Sequence, residues 1–341
     1  MVKILIRRAG PAFWLQLLMR RKMKAVVCTG YGPPEVLQIR EVDKPLPKAN
    51  EVLVRVMASA VNSGDVRVRS LAVNGLMKVL MRLVLGFHRP RKAIPGTVYA
   101  GLVESLGKKV SRFKAGDKVF GMRGFQFGTY AEYMSVHQNS NVTHIPDSAS
   151  FAAAAALIFG GQTAIYFLEK AGIAKRAKPK ILIIGASGSV GTSAVLLARH
   201  HEADITAICS TAGSALVKSL GVDKMILYDH QDFTRCGQQY DIIFDAVGKS
   251  TKKECKPLLK PGGIYFNVNT SGFASENVRQ LELLRELYEQ GKYQAVIDRI
   301  YPLGQIADAH RYVDTGRKKG NVVLSIGAEV MIKSEQSTPS A

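Results

Sequence analysis

The stretch ILIIGASGSVGTSA, residues 181–194, decides how the chain is read. Four apolar residues run into Gly185, Gly188 and Gly191, where a helix-like pattern begins. Such an apolar run suits a strand buried on both faces. A turn from that strand into a helix aims backbone N–H groups and the positive end of the helix dipole at one point, which favours an anion. Gly185 suits the tight turn, Gly188 the approach of a pyrophosphate to bare backbone, and Gly191 close packing of helix on sheet. Ser187, Ser189 and Val190 lie between them and add further N–H groups. Glycines at this spacing also serve plain turns. The strand before and the helix after favour a dinucleotide site instead.

The next strand bears on which nucleotide is bound. NAD sites set an Asp or Glu at its end, on the ribose 2′-OH. Here ITAICSTAGSALVKS ends in Ser210 and Thr211, with no acid. Two hydroxyls would accept a 2′-phosphate that a carboxylate would repel, and Lys218 would add charge, so NADP(H) is favoured. Ser210 and Thr211 also suit helix capping, and Lys218 also reads as a solvated helix residue.

Around this unit strands and helices alternate from Ser150 to about 275, including ILIIG, ITAICS, KMILY, DIIFDAVG and GGIYFNVN. That texture is α/β, a doubly wound parallel sheet of Rossmann type over 150–275. Residues 23–149 read as short strands and turns, such as EVLVRVMASAV (Glu51–Val61), and residues 276–327 add two helices and a last strand, NVVLSI. Residues 1–22 read as an extension or targeting segment, and the polar stretch 328–341 reads as a disordered tail.

The 341 residues suit two domains. No apolar run is taken as a bilayer span. Cys28, Cys209, Cys236 and Cys255 are scattered with no C-x-x-C pair, which argues against a disulfide framework or a structural zinc site and fits a cytoplasmic setting. The net charge is +20. Met1–Lys24 and Val66–Val103 each hold seven Lys/Arg and no acid. No nucleic-acid module is present. Val66–Pro90 reads either as a cover or membrane-surface patch or as an amphipathic helix packed on the β domain; the packed helix is favoured.

The segments VNSGDVRVRS, GDKVFG, GTYAEY, GGQTA, GASGSVG, FDAVG, PGG and AHRYVDTGRKKGNVVLSI occur in the order seen in the medium-chain dehydrogenase/reductase superfamily. The chain resembles most its zinc-independent quinone oxidoreductase branch, over Met23–Ile326. The resemblance implies a GroES-like β-rich catalytic domain built from both ends of the chain, a Rossmann domain inserted in it, a cleft between them and a homodimer. Where zinc-dependent members carry a cysteine and a His-Glu pair, this chain has Asn62 and Thr97-Val98, which lack thiolate and imidazole. The resemblance also implies that Asn62 lines the nicotinamide side and Thr163 sits near the cofactor. Val247 and Gly248 would follow the ribose and nicotinamide arm. Asn321 would lie close by, at a position often lysine. Asp65 and Tyr130 are polar candidates near the reacting atoms; Asp65 alternatively forms a salt bridge, with Arg69 as partner, and Tyr130 alternatively belongs to the core.

Without a Lewis acid, a conjugated acceptor is easier to reduce than a simple ketone. The leading expectation is therefore hydride transfer from NADPH to a quinone or α,β-unsaturated carbonyl. Alcohol dehydrogenase-like activity on simple alcohols or aldehydes is the second reading, and a non-catalytic NADPH-binding protein the third.

Overall fold

The computed structural model describes residues 21–72 and 75–327. The expectations for residues 1–20 and for the tail from 328 fall outside the described residues. The first part of the chain carries β1 (Lys22–Cys28), β2 (Leu37–Asp43), β3 (Glu51–Val61), α1 (Ser63–Ser70), α2 (Gly75–Leu85), β4 (Val98–Leu106), β5 (Lys118–Met122), β6 (Tyr133–His137) and β7 (Val142–His144). The middle carries α3 (Phe151–Lys170), β8 (Lys180–Ile184), α4 (Ser189–His200), β9 (Asp204–Cys209), α5 (Thr211–Ser219), β10 (Met225–Leu227), β11 (Tyr240–Asp245), α6 (Lys252–Cys255) and β12 (Leu259–Asn267). The last part returns through α7 (Val278–Glu289), β13 (Ile297–Pro302), α8 (Ile306–Asp314) and β14 (Asn321–Ser325).

β3 is the spine of a seven-stranded sheet. One edge pairs β4; the other pairs β6 through residues 51–55 and β14 through residues 58–61. The C-terminal strand thus completes a sheet begun by the N-terminal third of the chain, as the GroES-like domain requires. The second sheet is parallel, in the order β10-β9-β8-β11-β12. Its central strand β8 is buried from Ile181 to Ile184, so both faces are covered, which explains the unbroken apolar run. The chain leaves β8 towards β9 and later crosses to β11, so the turn after β8 sits at the switch point where such sheets open a crevice.

α3 joins the two halves. Ser150 caps it, its Oγ accepting from Ala153 N at 3.1 Å. Its 20 residues are long and apolar enough for a bilayer span, which corrects the sequence reading on that point, yet the helix is mostly buried inside the fold. The GG of GGQTA explains the burial. At Gly160 a Cβ would overlap the carbonyl oxygen of Ser189 in α4, and at Gly161 it would stand 2.6 Å from Leu284 of α7. Two bare backbone positions let α3 lie between α4 and α7.

Two expectations shift. After FDAVG the alternation of strands and helices calls for a helix, but α6 stops at Cys255 and tightens into a 3-10 turn, because Pro257 removes the N–H that would continue it. Val66–Pro90 divides into α1 and α2, broken where Leu71 takes a left-handed conformation at φ 50°.

Gly160→Ala should lower stability by about 1–3 kcal/mol, since overpacking against a backbone carbonyl outweighs the helix propensity gained. A reduced urea midpoint with unchanged m-value is the expected reading.

Candidate active site

The glycine turn is built by three different requirements. Gly185 has φ +76°, and a Cβ on it would collide with Val247. At Gly191 a Cβ would overlap the carbonyl oxygen of Gly185, so only glycine lets α4 start so close to β8. Gly188 differs: a Cβ there would meet Gly185 O at 3.5 Å and Val247 Cγ1 at 4.0 Å, both ordinary contacts. The fold itself has no need of glycine at this position. Gly188 is also the N-cap of α4, so no side chain caps the first turn of that helix, and its leading amides are left for an outside acceptor. A cradle whose bare floor the protein does not require fits a pyrophosphate.

The cradle is held from both domains. Gly320 N donates to Ser187 O at 2.8 Å, Ser189 Oγ to Asn321 Oδ1 at 2.5 Å, and Asn321 Nδ2 to Val296 O at 3.0 Å. Asn321 is therefore beside the loop, as the resemblance implied, but its side chain is occupied in bracing it. Val190 is buried under the helix start.

The second wall follows β11. Asp245, fully buried, is the organiser that the sequence reading passed over. Its Oδ1 accepts from Val247 N at 3.1 Å and Gly248 N at 2.7 Å. Its Oδ2 accepts from Ser250 N and Oγ, both at 2.7 Å, and from Asn267 Nδ2 at 3.1 Å. These bonds present Val247, partly exposed, over Gly185, with Gly248 at φ +73° beside Asn269. Arg67 on α1 reaches across from the β domain, Nη2 donating to Asn269 Oδ1 at 2.8 Å.

At the far end of the turn, Gly213 in the first turn of α5 lacks a Cβ that would stand 2.6 Å from Ser187 Oγ. Its absence brings Ser210 and Thr211 to the glycine loop. Neither caps α5 with its side chain. Instead Thr211 N donates to Asp229, 3.1 Å from Oδ1 and 3.0 Å from Oδ2, and that bond holds the carboxyl below its usual range. The acid missing from the end of β9 is thus delivered by the loop after β10, from 18 residues downstream. Lys218 is not brought here. It lies in the last turn of α5, about 10 Å along the axis from the helix start at 1.5 Å per residue.

On the β-domain side, Asn62 forms a capping box with Asp65. Asn62 Oδ1 accepts from Gly64 N at 2.8 Å and Asp65 N at 3.0 Å, while Asp65 Oδ2 accepts from Asn62 N at 3.1 Å. Asn62 Nδ2 donates to Thr97 Oγ1 at 2.8 Å, so the two places that match zinc ligands in other members bind each other. The missing Cβ of Gly64 faces the Phe159 ring of α3 at 4.0 Å, and one turn on in that helix Thr163 Oγ1 donates back to Phe159 O at 2.7 Å. Tyr130 OH donates to Asp65 Oδ2 at 2.9 Å. Tyr130 and Asp65 are both buried within the domain, behind Asn62. Asp65 does not pair with Arg69 as expected: Arg69 Nη2 lies 2.8 and 2.7 Å from the two carboxylate oxygens of Asp314. Among the described residues no three His, Cys, Asp or Glu side chains gather to hold a metal ion.

Tyr130 separates two buried groups with opposite leanings. Burial lifts the Asp65 carboxyl to about 7, against hydrogen bonds from the Asn62 amide and the Tyr130 hydroxyl. His310, edge-on to Tyr130 at 5.9 Å, is pushed down to about 3 by burial and then by the charge of Arg69. Folded Asp65 keeps a proton that the unfolded chain releases near pH ~4, so its stabilisation is lost as pH rises towards 7. Folded His310 lacks a proton that the unfolded chain holds below about 6.5, so its stabilisation is lost as pH falls. The slopes oppose between pH ~4 and ~6.5. Urea titrations across that interval should show stability rising with pH in Asp65→Asn and falling with pH in His310→Phe.

Comparison with known proteins places this geometry. Residues 48–147 match the alcohol dehydrogenase GroES-like domain family and residues 264–324 the zinc-binding dehydrogenase family. A 2-methylene-furan-3-one reductase of Solanum lycopersicum is 34% identical over 322 residues, 89% of this chain and 79% of that protein. An NADPH-dependent alkenal/one oxidoreductase, chloroplastic, of Arabidopsis thaliana is 31% identical over 323 residues, 89% of this chain and 80% of that protein. The solved quinone oxidoreductase of Coxiella burnetii is 26% identical, with a TM-score of 0.80 over 90% of this chain and 100% of that one. With a glycine cradle at the switch point of a parallel sheet and a two-ended β domain facing it, the chain belongs to the medium-chain dehydrogenase/reductase superfamily, in its quinone oxidoreductase-like branch.

Proposed function

We propose that the chain is an NADPH-dependent oxidoreductase that reduces the conjugated double bond of an enone or a quinone without a metal ion. The observation that carries the nucleotide half of this reading is Gly188, a glycine the fold does not need, at the uncapped start of α4. The substrate half rests on the relatives, named for enone and quinone reduction.

The amides of α4's first turn and its dipole bind the pyrophosphate. When bound, the dihydronicotinamide supplies the hydride. The Asp245 hub holds Val247 and Gly248 against its ribose arm, so that this wall does not have to reorganise during the reaction. Across the cleft, Asn62 spends one N–H on Thr97 and keeps the second for a ligand oxygen. An amide and a hydroxyl in these places are poor zinc donors but serviceable hydrogen-bond partners. That set suits an acceptor which spreads developing charge onto a distant oxygen, because no strong Lewis acid is needed there. In our reading the protein works as a homodimer, as the resemblance implies.

Purified protein should oxidise NADPH with an enone or quinone, and chelators should leave the rate unchanged. Gly188→Val should abolish nucleotide binding while the free energy of unfolding stays within about 1 kcal/mol of the parent, since the added Cβ meets protein atoms only at ordinary contact distances. Turnover of simple alcohols that chelation removes would overturn the metal-free reading. No turnover across a broad panel with tight NADPH binding would overturn the catalytic one.

Nucleotide preference has its own test. The hydroxyls of Ser210 and Thr211 favour a 2′-phosphate, and the Asp229 carboxylate beside them opposes it. Asp229→Asn keeps an acceptor for Thr211 N and removes the charge. KM for NADPH should fall several-fold relative to KM for NADH, with kcat unchanged, and the gain should shrink at high salt.

A further inference from the structure

Among the side chains of α2 that are described, two apolar ones turn towards the body of the protein. Met81 is half-buried and Leu85 buried, one turn apart on the same face. Val79, Leu80, Leu83 and Val84 point elsewhere and are 50–61% exposed. At about 100° per residue they cover a ~140° arc away from the Met81–Leu85 line. Gly86, at φ +126°, then turns the chain where a Cβ would overlap Arg89 O. Tyr31 OH pins the turn by donating to Gly86 O at 2.8 Å. Phe87 is left pointing outward, 54% exposed. The packed amphipathic helix expected from the sequence thus leaves a second apolar face, Val79, Leu80, Leu83 and Val84, in the open.

The charge around this second face has one sign. Lys78 and Arg82 flank it on the helix, and Arg89, Arg91 and Lys92 follow Phe87; all five are exposed. Among the described residues none of the five pairs with a carboxylate. From Val66 to Val103 there is no acid at all. A second copy of the chain would set this cluster against an identical one, and like charges disfavour that contact. A convex helix with an apolar stripe and long cationic side chains along its flank matches the interface of an anionic bilayer: the apolar residues enter the acyl boundary and the cations reach the headgroups.

We infer that α2 and Phe87 form a docking surface for anionic phospholipid membranes, held by apolar insertion and by the five cations together. The surface shares no residue with the nucleotide cradle and needs no assumption about the hydride acceptor.

The test is flotation of the full-length protein with vesicles of phosphatidylcholine alone or mixed with phosphatidylglycerol. At low salt the protein should float with the mixed vesicles and remain behind with the neutral ones, and high salt should release most of it. Leu80→Glu/Leu83→Glu should cut the bound fraction about tenfold, as expected for an amphipathic helix that has lost its apolar stripe. Lys78→Gln/Arg82→Gln should cut it less and weaken the salt dependence. Both variants should keep the parent's melting temperature and NADPH binding. Absence of flotation at low salt, flotation undiminished in the Glu variant, or a Glu variant whose only change is a smaller assembly would each overturn the proposal. The second of these would assign membrane binding elsewhere in the chain, and the third would assign the face to a second copy.

Discussion

The approach of α4 to the end of β8 is the constraint on which the rest of the molecule depends. With Gly191 seated against the carbonyl of Gly185, the helix begins directly over the turn, and its first amides converge on one point. Every neighbour is spaced from that contact. α3 can lie against α4 only because Gly160 has no side chain, α5 can close on Ser187 only because Gly213 has none, and Val247 fills the space left by Gly185. Glycine appears at these positions because backbone has to touch backbone or a neighbouring side chain, and the resulting crevice has no interior side chain to displace.

The β domain contributes rigidity in a different currency. Its wall of the cleft is set by a buried polar relay, Thr97–Asn62–Asp65–Tyr130, in which nearly every hydrogen bond is internal. Such a network fixes the orientation of Asn62 more tightly than packing alone would, although Asp65 Oδ1 is left without a partner. Asp65 and Tyr130 stand one layer behind Asn62. Arg69 and Asp314 tie the same region to α8, so the end of the chain supports the side chain at its front.

Local pattern carried much of this. The β8–α4 unit, β3 as a strand and the helices near the C-terminus were all legible, because their signals lie among neighbours in the sequence; the alternation read along β3 does not hold, since the strand is buried nearly throughout. Gly185, Gly188 and Gly191 could be given separate roles from spacing alone. What failed to show was anything set by tertiary approach. Asp229 lies 18 residues past Thr211 and reaches it only because β10 runs beside β9. Asp245 looked like one letter of FDAVG, although its role is to hold the loop that follows it. The Arg69 partner, Asp314, is 245 residues away, so the nearer Asp65 was the only visible candidate. Lys218 was placed near the phosphate because a helix seen as a string has no length; folded, it spans two turns.

α3 belongs to both domains as one unbroken 20-residue helix, clamped by α4 and α7. The two halves of the protein therefore cannot slide past each other without breaking that packing. The two halves also meet where Arg67 bonds Asn269 and where the Phe125 and Phe273 rings stand edge to face, 6.0 Å between centroids. These side chains are exposed, so their contacts break at far smaller cost than the packing of α3.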